Sequence, residues 1–185
     1  MISVKKLSKA LLILSVLTAL YLPSYGQNLT TKTAKVRFFS STPIEDIKAA
    51  SEKGVAVLLT KTGEIAFQVP IKSFEFSKGL MQEHFNENYM ESDKYPYAKF
   101  NGKVNQPIDL SKDGEHNVTA TGTLLIHGVA KQRTIPGKLK VANGKIQLSS
   151  SFDVACVDHK IKIPRLVMTK IAEVIKVSID ATLNP

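Results

Sequence analysis

The 185-residue sequence has no tryptophan, a single cysteine at Cys156, and only three arginines, Arg37, Arg133 and Arg165, among its 25 basic residues. One cysteine cannot close an internal disulfide, so burial and strand pairing must hold the fold. Scattered lysines, without clustered arginine or indoles to stack on, exclude the usual nucleic-acid reader. Also missing is any apolar run of the roughly 18 residues needed to span a bilayer. The run at 10–22 has 13, and no later stretch is as apolar. Motifs for chemistry are absent as well: there is no GxSxG elbow, no HExxH and no cysteine pair. Neither a catalytic residue nor a metal or cofactor is therefore expected.

At the N-terminus, Lys5, Lys6 and Lys9 precede the apolar run, and the small residues Ser24 and Gly26 follow it. That order reads as a secretory signal peptide over 1–26, cleaved after Gly26, and predicts a periplasmic or secreted protein. A lipoprotein would need a cysteine just after the run, where none stands. The remainder, 27–185, has a length usual for one domain with a sizeable core. Removing three lysines lowers the balance from +9 to 22 − 16, or +6. A lysine-bearing surface of this kind is drawn to anionic envelope lipid, so peripheral contact with it is expected.

Period-two alternation bounded by turn residues predicts eight strands, at 31–40, 54–61, 64–71, 97–104, 116–126, 133–141, 145–156 and 173–183. Thr62-Gly63 and Asn143-Gly144 mark hairpins, and Gly102 marks a bulge. A helical turn is expected near 44–49 and a short helix near 77–90. The fold class is thus mainly β, an eight-stranded antiparallel barrel that hides its edges by closing. Eight strands leave a bore filled by side chains or just wide enough for one slender ligand. The helix then lies across the mouth or along one side, with Leu80, Met81, Phe85 and Tyr89 inward and His84 at the rim.

The segment GLMQEHFNENYMESDKYPYAKFNGKV at 79–104, the turn LLIHGVAKQ at 124–132 and the alternating last strand resemble the YceI-like family. The resemblance extends over about 28–183. It implies a periplasmic or secreted lipocalin-like barrel that binds a long isoprenoid or another amphiphilic lipid. One stretch departs from it. Where many members run a glycine-rich loop before the last strand, residues 152–174 here alternate Lys160, Lys162, Arg165 and Lys170 with Ile161, Ile163, Leu166, Val167 and Met168.

The candidate ligand-binding residues are the inward apolar set: Phe38, Phe67, Phe74, Phe76, Leu80, Met81, Phe85, Tyr89, Leu124, Ile126 and Phe152. Small residues in the inward rows, Ala120, Gly122, Gly137 and Ser150, leave lumen unfilled. Asp109 and Asp113 sit among turn formers and read as loop chemistry. His84 has acids nearby in sequence but no second histidine at helical spacing, so it reads as a helix-surface residue. Cys156 falls on an inward face, where a free thiol is packing. The leading expectation is a non-catalytic carrier whose partner is an apolar or amphiphilic small molecule. The alternative is a barrel packed solid that acts as an envelope stress or interaction protein through its outside. An enzyme acting on a bound lipid or quinone through His84 ranks third. The oligomeric state, a homodimer included, is left open.

Overall fold

A computed structural model describes residues 28–109, 112–164 and 169–185. The signal-peptide reading of 1–26 lies outside the described residues, as do Arg165, Leu166, Val167 and Met168. Nine strands form one antiparallel sheet: β1 (Asn28–Ser41), β2 (Asp46–Leu59), β3 (Glu64–Pro70), β4 (Glu75–Phe76), β5 (Tyr97–Val104), β6 (Gly114–Ile126), β7 (Val129–Ala142), β8 (Lys145–Ala155) and β9 (Val174–Leu183). β1 pairs with β2 on one side and β9 on the other, so the eight long strands close into a barrel. The two-residue β4 adds to β2 beside Ala49 and Ala50. Closure satisfies backbone groups that an open sheet would leave at its edges.

Alternation sets the two faces. Val118, Ala120, Leu124 and Ile126 of β6 face the bore, as do Ile175, Val177 and Ile179 of β9. Outside, Thr119 and Thr123 accept hydrogen bonds from the Asn105 and Gln132 amides at 2.8 Å, and Thr121 pairs with Thr134 at 3.0 Å. These polar cross-strand pairs tie β5, β6 and β7 together on the solvated face.

Two local expectations are corrected. No helical turn forms at 44–49: the chain turns tightly at 42–45 and enters β2 at Asp46. Thr42 Oγ1 accepts from the backbone N–H groups of Ile44 and Glu45, which closes the turn without a helix. The bulge at Gly102 is also absent, because β5 and β6 pair without interruption from Lys99↔Leu125 to Val104↔Ala120. Gly102 and Gly122 are direct partners, and a Cβ on Gly122 would lie 2.4 Å from the Gly102 Cα. The register shifts fall instead in the β1–β2 pairing, on either side of the Ala34–Gly54 pair. A Cβ on Gly54 would stand 2.7 Å from the Ala34 carbonyl oxygen, so only glycine lets the bulged strand approach.

The short helix expected near 77–90 runs from Gly79 to Tyr89. It consists of α1 (Gly79–His84) continued by a π-helical turn, Phe85–Tyr89, in which Met90 N–H donates to the Phe85 carbonyl at 2.9 Å. None of its residues is buried, so it rests on the barrel rather than inside it.

Candidate functional site

The two ends of the barrel are built differently. At the end where the Asn143-Gly144 hairpin turns, Leu29, Leu58, Leu139, Val141, Ile146 and Leu183 are fully buried and fill the bore. Above that plug lies a cavity of about 520 Å³, within the range of small-molecule sites. It opens at the opposite end, where β1 turns into β2 and α1 crosses. The barrel is therefore not packed solid.

All eleven residues singled out from the sequence stand on the wall of this cavity. Four of them form a collar at the mouth. Phe38 stacks on Phe85 at 5.3 Å between ring centroids and meets Phe74 and Phe76 at 5.5 and 5.6 Å, while Phe85 reaches Phe76 at 5.0 Å. Contacts of this kind add to plain burial, and here they clamp the helix to β1 and β4. Leu80, Met81 and Tyr89 complete the helix's contribution. Phe67, Leu124, Ile126 and Phe152 line other parts of the wall. Room remains between them because Ala120, Gly137 and Ser150 also line the wall. Gly122 leaves no such room: the Phe100 ring covers the paired glycines, 2.8 Å from where a Gly102 Cβ would stand.

Polar groups on the wall are few and largely spoken for. Ser150 Oγ donates to the Pro136 carbonyl at 2.6 Å, and the buried Ser40 Oγ accepts from Ala172 N–H at 2.9 Å. Burial pushes the Cys156 thiol above its ordinary value, so it stays protonated as packing. Desolvation likewise raises the Tyr89 phenol. Charge gathers only at the mouth, where Lys78 pairs with Glu45 at 3.1 Å and His84 and Lys170 reach the cavity edge. Among the described residues, no three histidine, cysteine or acidic side chains converge to hold a metal ion.

Sequence reasoning missed two parts of the site. The segment after β8, read from the sequence only as a departure from the family pattern, supplies Ile161, Ile163 and Ile171 to the wall. The second is a fastening that frames the mouth. His127 Nε2 lies 2.7 Å from Glu91 Oε2, and its Nδ1 lies 3.1 Å from the His159 carbonyl oxygen. Both ring nitrogens thus face oxygen acceptors. His159 is fully buried and its Nδ1 donates to the Val129 carbonyl at 3.1 Å. Burial holds that ring below the ordinary histidine range. Tyr95 packs edge-on against His127 at 4.6 Å and covers Gly128, where a Cβ would meet the ring at 2.4 Å. Gly128 also has a positive φ of 70°, so the turn requires glycine twice over. The segment after the helix, the β6–β7 turn and the segment after β8 are thus bound to each other around one side of the mouth.

Together these features define a cup: a closed β-barrel with an apolar interior, plugged at one end and open at the other. The chain matches the YceI-like domain over residues 28–183 and belongs to that family. No curated protein matches it. Among solved structures it is similar to a polyisoprenoid binding domain from Saccharophagus degradans implicated in plant cell wall breakdown, with a TM-score of 0.72 at 15% identity, covering 85% of this chain and 97% of that one. It is also similar to BcnA of Burkholderia cenocepacia, with a TM-score of 0.68 at 15% identity and coverage of 82% and 96%. A YceI protein of Campylobacter jejuni follows, with a TM-score of 0.62 at 21% identity and coverage of 78% and 88%. At these identities the likeness speaks for the fold.

Proposed function

We propose that the chain is a periplasmic or secreted carrier that holds an amphiphilic lipid of isoprenoid type and performs no chemistry on it. The tail lies in the bore and the polar end stays at the mouth. The observation that carries this reading is the apolar cavity of about 520 Å³ with a single open end and its charged groups confined to that end. Each buried methylene is worth about 0.8 kcal/mol, so eight of them give roughly 6 kcal/mol before ordering costs. Membership of a family that includes a solved polyisoprenoid binding domain supports the ligand class, and the lysine-led apolar run at the N-terminus supports export.

The reading that the outside alone acts, over a solid barrel, has no support in the bore as built. Native mass spectrometry of protein purified from its own envelope checks the proposal. A copurifying lipid mass, or uptake of an added polyprenyl lipid at one molecule per chain, is the expected result. Protein that arrives empty and takes up neither polyprenyl nor other long-chain lipid overturns it.

A further inference from the structure

Five large apolar side chains are exposed among the described residues: Ile44, Leu80, Tyr97, Val157 and Val174. Single exposed apolar residues are ordinary. Their placement here is not random, because all five belong to the mouth end. Ile44 sits in the β1–β2 turn, Leu80 begins the helix, Val157 follows β8, and Tyr97 and Val174 are the first residues of β5 and β9. The described turns at the plugged end, 60–63 and 143–144, expose none. Ile44 and Val157 are 62% and 79% exposed and line no part of the cavity, so neither fold nor bore accounts for them.

Charge marks the same rim. Lys72, Lys78 and Lys94 are each paired with an acid. By contrast Lys160, Lys162 and Lys170, on the lip between β8 and β9, are exposed and make no ion pair with a described residue. Of the two acids on that lip, Asp158 lies 3.9 Å from Arg133, which leaves Glu173 against three lysines.

From this juxtaposition we propose that the mouth rim docks on an anionic bilayer surface, with Ile44 and Val157 entering the interface and Lys160 and Lys162 meeting the lipid headgroups. Exposed apolar tips beside unpaired cations suit the boundary between headgroups and acyl chains, and a lysine near such a surface contributes about 1 kcal/mol, or roughly fivefold in affinity. Docking by the mouth lets a tail pass between bilayer and bore without crossing water, where its whole apolar area would be exposed. The purpose of this docking rests on the carrier reading; its measurement does not.

The test is cosedimentation of residues 28–185, whose strands close without the preceding segment, with vesicles of phosphatidylcholine alone and of phosphatidylcholine mixed with phosphatidylglycerol. Binding to the anionic vesicles only, weakening as salt rises, is expected. The pair Lys160→Asn/Lys162→Gln should weaken it by roughly 30-fold, and Ile44→Ser/Val157→Ser should weaken it further at constant charge. Asn is chosen at 160 because that residue has a φ of 56°, which Asn tolerates. Lipid uptake from vesicle-free solution, measured in parallel, should be unchanged in both variants. Failure of the parent protein to bind anionic vesicles, or variants that bind them as it does, overturns the docking proposal whatever the uptake result. Docking that survives while uptake is absent overturns the carrier reading instead.

Discussion

The plugged and the open halves of this barrel use the same strands for opposite ends. Below, the inward positions of β1, β2, β7, β8 and β9 carry large branched residues that meet across the bore, and Leu29, Leu58, Ile146 and Leu183 have no exposed surface at all. Above, β1, β2 and β8 include the smaller Ser40, Ala49, Ser51 and Ser150, and four phenylalanines stand around the gap instead of closing it. Moving along a strand by a few residues thus changes its task from holding the cylinder shut to holding it open. Tight packing is concentrated below and open space above.

That division is broken most strongly from below. Leu139→Ala removes a fully buried side chain from the plug, where its neighbours are fixed by pairing on both sides and cannot collapse. A loss of about 3 kcal/mol is expected in urea unfolding, with lipid uptake retained in the population that stays folded. The second variant acts above. Ala120→Leu points a larger chain into space that is empty, so stability should change by no more than about 1 kcal/mol while uptake falls at least about tenfold, the side chain standing where the tail would lie. Equal losses of stability from both variants would mean that the halves are not specialised. Gly122 is unsuited to this comparison, since any side chain there strikes the Asn101 carbonyl oxygen, 2.3 Å from its Cβ position.

Much of this was written plainly in the sequence. β6, β8 and β9 alternate so regularly that they read as strands at once, and every aromatic expected on the wall is there. The first half of β2 was illegible for a physical reason. Ala49 and Ser51 face inward beneath the phenylalanine collar, with Ser51 Oγ 2.6 Å from Ser73 Oγ, and residues small enough to leave room for rings carry no apolar signal. Ile44 and Ile47, three apart, then imitate a helical turn. The bulge was misplaced for a related reason: Gly102 and Gly54 look alike in sequence, and only the residue opposite, Gly122 in one case and Ala34 in the other, decides which strand is kinked. The Glu91–His127 fastening joins residues 36 apart, a pairing that spacing alone does not announce.

The smallest effect separates the two halves by pH. None of the residues that fill the plug titrates, whereas the mouth is bound around His159, buried with its ring held neutral below the ordinary histidine range chiefly by desolvation. Asp158 opposes that shift and Arg133 adds to it, but burial decides the direction. In the unfolded chain the same ring titrates near pH 6.5. Above that pH its contribution to stability is complete. As pH falls from about 6.5 toward the folded value, the unfolded state gains a proton that the folded state refuses, and stability declines. Hydrogen exchange should report this locally: amides near His127 and Ile161, tied to the His159 carbonyl and to the 3-10 turn Cys156–His159, lose protection on acidification before those of β8 near Ile146. His159→Asn keeps a donor for the Val129 carbonyl and removes the titration, so its profile should be flatter over the same range. A parent protein whose two ends lose protection together would show that the mouth is not the weaker half.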